Sequence, residues 1–238
     1  MNNLLGNLPT VTKNLLIINI VCFIGSIIFD QATRFFGVFY PDSPFFKIWQ
    51  IITYMFMHGG FGHIFFNMFA LVMFGAVIER ILGPKRFLNY YLICGLGALV
   101  LQYGVQAFEV YNIAGTVKAS QFLNFNYTTG MVSTNLPITQ DQLGTLLSIY
   151  GTPLVGASGA IYGLLLAYGY LFPNAELMLI FLPVPIKAKY FIPILIVIEI
   201  VLGFSSSGSS IAHLAHVGGA LFGFILLKMW GIKRTNYY

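Results

Sequence analysis

Charged side chains are scarce in this sequence. They make up 8% of its 238 residues, while 58% are hydrophobic and the mean hydropathy is +0.82. Soluble globular domains carry about a quarter of their residues as charged side chains, so this balance excludes an ordinary soluble domain. We therefore expect an integral, multi-pass membrane protein whose main solvent is lipid.

Cysteine is also rare, and basic residues form no cluster. Cys22 and Cys94 both lie within apolar runs, so we expect them to pack as small core residues rather than form a disulfide or a metal pair. The net charge of +5 comes from Lys and Arg scattered over short loops, without the basic patch that nucleic-acid binding needs. Membrane lipids with anionic headgroups are the expected partner, and nucleic acid is not.

Long apolar runs, in contrast, fill most of the chain. A transmembrane helix needs about 20 mainly apolar residues, and six runs approach this length, the first and fifth being short. They are residues 15–29, 61–78, 87–108, 153–172, 190–204 and 211–230. The predicted fold is an all-α bundle of six transmembrane helices, forming a single membrane domain over residues 1–238.

The basic residues predict how this bundle is oriented. With six spans and a cytoplasmic N-terminus, the cytoplasmic segments hold most of the Lys and Arg, and the opposite side keeps Arg34, Lys47 and Lys118. This bias predicts that both termini are cytoplasmic. Residues 109–150 then form a long external loop, whose role the sequence does not reveal.

Two other connections are unusual. Residues 35–58 are rich in aromatic side chains and predict an element half embedded at the outer interface. Residues 177–186 are apolar but interrupted by Pro183 and Pro185. They are too short to span, and we expect them to lie along the inner face.

Polar groups within the spans are few, and in lipid such groups mark function more often than chance. Gly151-Thr152-Pro153 predicts a helix start with Thr152 as N-cap, which places Ser158 roughly 8 Å into the fourth span. His216 lies at a similar depth in the sixth span. Because a serine needs a nearby base to become a nucleophile, Ser158 and His216 are the predicted catalytic pair.

A second polar pair lies on the helix that the second span forms. His63 and Asn67 are spaced i and i+4, so they project from one helical face. Both side chains can donate hydrogen bonds to the oxyanion that forms when a peptide carbonyl is attacked. Tyr162, one turn below Ser158, is placed to pack against the imidazole of His216.

Small residues predict close contact between the fourth and sixth spans. Gly159 and Gly163 in one, and Gly219 and Gly223 in the other, are spaced by four, and such faces let two helices approach closely. Close contact would bring Ser158 within reach of its base.

The acid inventory predicts a dyad rather than a triad. Glu199 in the fifth span is the one acidic residue within a span, and we expect it to lie outside the site. A metal centre is an alternative, because His213 and His216 are three residues apart. With no His-Glu-x-x-His motif and no carboxylate expected nearby, we predict neither a metal nor a cofactor, and interpret His58 and His213 as supporting or water-contacting residues.

Each polar residue also has a purely structural interpretation. A serine in a glycine-rich transmembrane helix commonly bonds back to its own helix, and a histidine or asparagine facing a bundle commonly bridges helices. The catalytic interpretation therefore depends on the combination.

In combination the residues resemble the rhomboid family. The matching segments are His58-Gly-Gly-Phe-Gly-His63-x-x-x-Asn67, Gly156-Ala-Ser158-Gly159 with Tyr162, Ala215-His216-x-x-Gly219-x-x-x-Gly223, and Glu79-Arg80-x-x-Gly83 followed by Arg86-Phe87-x-x-Tyr90. The likeness extends from about residue 50 to residue 230. One departure is Trp49-Gln50, where the family often has Trp-Arg.

This resemblance implies an intramembrane serine endopeptidase that cleaves in or near transmembrane segments of other membrane proteins. Ser158 would be the nucleophile and His216 the general base and then acid. His63, Asn67 and the backbone N–H of Ser158 would bind the oxyanion, with Tyr162, Gly156, Gly159 and Gly219 in support. The fifth span would be a lateral gate for substrate, and the host a bacterial inner membrane.

The sequence is compatible with two other classes of protein. A non-catalytic relative that binds membrane clients would be expected to have lost the serine or the histidine. A transporter or channel predicts internal repeats, and the two halves of the chain show no convincing one. The natural substrate, the cleavage position and the oligomeric state do not follow from the sequence.

Overall fold

The computed structural model describes residues 4–125, 132–179, 182–205 and 210–233. Helices dominate this part of the chain. In chain order they are α1 (Thr10–Ile28), α2 (Ala32–Phe36), α3 (Gln50–Thr53), α4 (Phe61–Ala70), α5 (Ala76–Leu82), α6 (Pro84–Ala114), α7 (Gln140–Gly151), α8 (Ser158–Leu171), α9 (Ala188–Ser205) and α10 (Ser210–Met229). A π-helical turn at Leu71–Gly75 joins α4 to α5, and 3₁₀ turns lie at Leu4–Asn7, Tyr54–Phe56 and Ser120–Phe122.

The all-α expectation needs one correction, because two short antiparallel hairpins are present. β1 (Leu123–Phe125) pairs with β2 (Val132–Thr134) inside the predicted external loop. β3 (Glu176–Leu179) pairs with β4 (Leu182–Lys187) in the segment predicted to lie along the inner face. Proline and β-branched residues disfavour a helix in this second segment, whereas pairing with a neighbouring strand still satisfies its backbone.

The outward-facing surface supports a membrane environment. Among the described residues, three helical segments are long and apolar enough to cross a bilayer: Thr10–Ile28, Phe61–Leu82 (α4, the π-helical turn and α5) and Pro84–Ala114. Large apolar side chains such as Val21, Phe61 and Val201 are exposed on helix surfaces, which is unfavourable in water and favourable in lipid. The protein is therefore a mostly helical membrane protein, while the count of six spans and the cytoplasmic termini stay predictions.

The core forms around α6, which packs against α8 and α10. Phe87, Tyr90 and Tyr91 of α6 are fully buried. The Tyr90 hydroxyl donates a hydrogen bond to the Gly163 carbonyl at 2.8 Å. This bond joins α6 to α8 and gives the buried hydroxyl the partner it needs.

Glycines set the spacing of α8 and α10. A Cβ at Gly219 would overlap the carbonyl of Gly159, and a Cβ at Gly159 would overlap the side chain of Ala98 on α6. Three helices therefore meet at a point where only small residues fit. This close approach holds the first turn of α8 against the third turn of α10.

A buried carboxylate fixes the start of α1. Glu79 on α5 accepts hydrogen bonds from the Val11 and Thr12 backbone N–H groups at 2.9 and 2.7 Å, and from the Thr12 hydroxyl at 2.7 Å. The first N–H groups of a helix lack intrahelical partners and attract negative charge. Arg80 donates to the Asn7 carbonyl at 3.0 Å, so the Glu-Arg pair anchors the N-terminal segment.

The predicted start of the fourth span is wrong. Thr152 ends α7 instead of capping a new helix, and α8 begins at Ser158. Thr152 is extended (φ −110°, ψ 122°), as expected for a residue before proline. Leu154 then pairs with Val38 in both directions, at 2.9 and 2.8 Å, which keeps the segment before α8 extended.

The predicted external loop is largely folded in its described residues. α6 continues to Ala114, and α7 begins at a Thr139–Gln142 capping box. A second small core includes Tyr40, Val110, Leu146 and Ile149. The loop therefore forms a compact cap on one end of the bundle.

Candidate active site

Ser158 is the first residue of α8 and follows a turn at Gly156. Gly156 has φ +130°, a conformation that L side chains rarely adopt. A Cβ at this position would also lie 2.8 Å from His63 Nε2 and 3.6 Å from Ser158 Oγ. Glycine is therefore required both by the backbone and by the close approach of His63 to the serine.

His216 meets Ser158 from α10. Its Nε2 lies 2.8 Å from Ser158 Oγ, within hydrogen-bond distance. The ring of Tyr162 stacks on the imidazole, with the centroids 4.3 Å apart and the planes 4° from parallel. The structure thus brings together the serine, histidine and tyrosine singled out in the sequence, and the stack limits rotation of the imidazole.

Glu199 on α9 is a further member of this cluster, and the expectation that it lies outside the site is wrong. Its Oε2 lies 2.9 Å from His216 Nδ1 and 2.7 Å from His213 Nδ1, and its Oε1 accepts a hydrogen bond from the Tyr162 hydroxyl. Glu199 is buried at 6% exposure, so these contacts take place away from bulk solvent.

Counting residues from the helix ends indicates that Glu199 lies near His216. It lies six residues before the end of α9, and His216 lies six residues after the start of α10. Two consecutive helices joined by a short connection place such positions at the same level. Glu199 therefore lies at the level of His216 on the neighbouring helix.

His63 and Asn67 lie on α4, but only His63 is placed directly beside the serine. Its Nδ1 accepts a hydrogen bond from the Gly59 N–H at 3.3 Å, while Nε2 faces Gly156. Asn67 is buried, and its amide donates to the His63 carbonyl at 3.0 Å. Since an amide has two N–H donors, Asn67 keeps one for another acceptor.

His58 lies behind His63. The two rings meet edge to face with centroids 5.1 Å apart, and His58 is 2% exposed. Burial, with a smaller contribution from neighbouring His63, lowers the pKa of His58 from 6.5 to about 4. A neutral imidazole here supports the position of the His63 ring.

A carboxylate does lie close to two histidines, which corrects one of the reasons for predicting no metal. One ligand atom from each of Glu199, His213 and His216 falls within 4.8 Å of the others, a grouping that could hold a metal ion. Hydrogen bonds already connect both imidazoles to the carboxylate. The arrangement is therefore chemically self-consistent without an ion.

The polar residues 205–210 of the sequence predict a path for water to the site from the outer side, and this run falls mostly outside the described residues. Only Ser205 and Ser210 are placed, as helix ends.

A serine hydroxyl in hydrogen-bond contact with an imidazole inside a helical membrane bundle is the arrangement that a serine nucleophile requires. The family model for the Rhomboid domain matches residues 46–232. The chain belongs to the rhomboid family, which confirms the resemblance found in the sequence.

Named relatives include proteases. The chain is 26% identical over 190 residues to rhomboid protease GluP of Bacillus subtilis (strain 168), covering 80% of this chain and 27% of that protein. It is 27% identical over 188 residues to rhomboid protease AarA of Providencia stuartii, covering 75% and 54%. RHOMBOID-like protein 12, mitochondrial, of Arabidopsis thaliana is 30% identical over 175 residues, covering 73% and 44%.

Each of these relatives is matched over part of its length. The aligned part of the chain spans about half or less of each, and they include a mitochondrial as well as bacterial proteins. The expected bacterial inner membrane therefore gains no support, and the supported localisation is a membrane.

Proposed function

We propose that this chain is an intramembrane serine endopeptidase that hydrolyses peptide bonds in or near transmembrane segments of other membrane proteins. The observation that carries the proposal is the 2.8 Å contact between His216 Nε2 and Ser158 Oγ. A hydroxyl in contact with an imidazole acceptor is the arrangement that a serine nucleophile requires.

The reaction follows from that contact. His216 Nε2 takes the Ser158 proton as Oγ attacks the substrate carbonyl carbon, and the carbonyl oxygen becomes an oxyanion. The protonated imidazole then gives its proton to the leaving amine, and an acyl-enzyme remains on Ser158. A water molecule, deprotonated by the same imidazole, hydrolyses this ester and restores the serine.

Three groups are candidates to bind the oxyanion. The Ser158 N–H lies at the start of α8, where backbone donors have no intrahelical acceptor and the helix dipole favours negative charge. His63 lies beside Gly156, and Asn67 retains one N–H on the next turn of the same helix. Donors prearranged in this way stabilise the transition state more than the ground state.

Substrate access requires local unwinding of a helix. A peptide bond in a transmembrane helix is shielded by its own backbone hydrogen bonds, and in lipid these must be replaced. Helix-weakening residues in the substrate therefore favour cleavage. By resemblance, α9 is the element past which the substrate enters from the lipid.

One experiment tests the function. The full chain in detergent is incubated with a fluorophosphonate probe and with a reporter transmembrane substrate. Wild type should be labelled and should cleave, whereas Ser158→Ala should lose both activities and His216→Ala should lose at least about 100-fold, the scale of general-base catalysis.

Ser26→Ala is a matched control, because Ser26 also lies in an apolar helix but donates to the Phe23 carbonyl. It should behave as wild type. Labelling and cleavage that persist in Ser158→Ala would overturn the proposal, and so would a correctly folded wild type that does neither, as a non-catalytic client-binding protein would.

A further inference from the structure

We propose that Glu199 is a positioning residue that holds His216 in its reactive tautomer, so that the chain works through a Ser158–His216–Glu199 triad rather than an isolated dyad. The inference rests on the proposed function and concerns a residue that none of the short motifs quoted for the family resemblance contains.

Hydrogen-bond chemistry fixes the proton positions around Glu199. An ionised carboxylate can only accept hydrogen bonds, so each imidazole nitrogen in contact with it must carry a proton. His216 Nδ1, 2.9 Å from Glu199 Oε2, is therefore the protonated nitrogen. In a neutral imidazole the other nitrogen is then the acceptor, and that nitrogen is Nε2, facing Ser158 Oγ.

The same carboxylate helps to fix the orientation of the His216 ring. Tyr162 stacks on one face of His216 and donates its hydroxyl to Glu199. The plane of the imidazole is set by Tyr162, and its rotation within that plane by Glu199. Glu199 supports both restraints, because its Oε1 holds the hydroxyl of the stacked Tyr162 and its Oε2 contacts His216 Nδ1.

The negative charge of Glu199 becomes important when His216 takes the serine proton. A positive charge then develops on the imidazole 2.9 Å from Glu199 Oε2. In a buried site this attraction is stronger than in water, and it exists only once the proton has moved. Such an interaction stabilises the transition state selectively.

His213 does not substitute for this role. It contacts the same Oε2 at 2.7 Å but has no contact with Ser158 among the described residues. Its N–H helps hold the carboxylate in place between α9 and α10.

The chain offers an unusually close control in Glu79. It is a second buried glutamate, also in an apolar helix, that accepts three hydrogen bonds away from the site. Glu79→Gln and Glu199→Gln make the same chemical change in two buried carboxylates, and only one of these touches His216.

The experiment measures kcat and KM for a reporter transmembrane substrate with wild type, Glu199→Gln, Glu199→Asp and Glu79→Gln, each checked for folding by size exclusion and thermal unfolding. We expect Glu199→Gln to lower kcat about 10²- to 10⁴-fold with KM changed less than about threefold, since loss of the orienting acid in a soluble triad costs about 10⁴-fold. Glu199→Asp, which keeps the charge, should recover at least about tenfold over Gln. Glu79→Gln should lower thermal stability and leave kcat of the folded protein within about threefold of wild type.

A spectroscopic readout covers the case in which Glu199→Gln does not fold. The chain has four histidines, so ¹⁵N labelling of histidine and assignment by His216→Ala give the protonation of each ring nitrogen. Wild type should show His216 protonated at Nδ1, and this measurement needs no variant of Glu199.

The outcomes are distinguishable. A folded Glu199→Gln with kcat within about threefold of wild type, or a wild-type His216 protonated at Nε2, overturns the positioning role while Ser158→Ala remains inactive. Cleavage that survives Ser158→Ala overturns the proposed function itself.

Discussion

Replacing Gly219 by alanine should push α8 and α10 apart and disable the site in a folded bundle. The added Cβ would overlap the carbonyl of Gly159, whereas ordinary Cβ contacts are 3.4 Å or longer. The two helices must then separate by about 1 Å or more. A shift of that size takes His216 Nε2 from 2.8 Å beyond hydrogen-bond reach of Ser158 Oγ.

The magnitude follows from this displacement. A misplacement of reacting groups by about 1 Å costs about 100-fold in rate, or about 2.7 kcal/mol of barrier at about 1.36 kcal/mol per tenfold. Overpacking costs folding about 1–3 kcal/mol, which a bundle of this size can tolerate. We expect kcat/KM for a reporter transmembrane substrate to fall about 100-fold or more while thermal unfolding remains cooperative.

Gly104→Ala is the matched control. Gly104 lies on α6, where an added Cβ meets nothing within 4 Å, and alanine is the better helix former by about 1 kcal/mol. This variant should keep wild-type activity and equal or greater stability. A Gly219→Ala protein with kcat/KM within about threefold of wild type would refute the idea that helix spacing sets the Ser158–His216 contact.

Three further predictions concern pH, metal and substrate. The folded-state pKa of His58 is about 4 against an ordinary 6.5, so the unfolded chain binds the proton more readily and stability present above pH 6.5 should be lost as pH falls towards 4. The unfolding temperature should fall less steeply with pH in His58→Gln than in wild type. An equal dependence on pH in both proteins would contradict the lowered pKa of His58. Chelators should leave cleavage unchanged, whereas micromolar Zn²⁺ should inhibit cleavage by binding Glu199, His213 and His216, whose ligand atoms lie within 4.8 Å of one another. Half-inhibition of His213→Ala should need at least about tenfold more Zn²⁺ than half-inhibition of wild type. Equal inhibition of the two proteins would place the inhibitory ion elsewhere. A substrate helix stiffened by Gly-to-Leu changes should be cleaved more slowly, and unchanged cleavage would refute the need for unwinding.

The site residues that could be predicted from the sequence are those whose polar chemistry is unusual in lipid. Ser158, His216 and Tyr162 stand out because polar groups within apolar runs are few, and the structure brings all three together. Spacing alone also places His63 and Asn67 on one helix. Such spacing can be predicted because the period of a helix alone determines which of its residues share a face.

The features that could not be predicted depend on partners distant in sequence. Thr152 before Pro153 is compatible with a helix start or a helix end, and the pairing of Leu154 with Val38 decides for the extended form. Glu199 looks isolated in the sequence because its partners come from α8 and α10. The described part of residues 109–150 forms a cap with a core of its own, to which Tyr40 contributes from a distant part of the chain.

The position of Glu199 on α9 links two events that are usually considered separately. If α9 is the element that moves to admit substrate, its movement carries the carboxylate away from His216 and Tyr162. The open protein would then hold an imidazole free to rotate and change tautomer, and the closed protein an oriented one. Ser158 would then be activated only after α9 has closed behind the bound substrate.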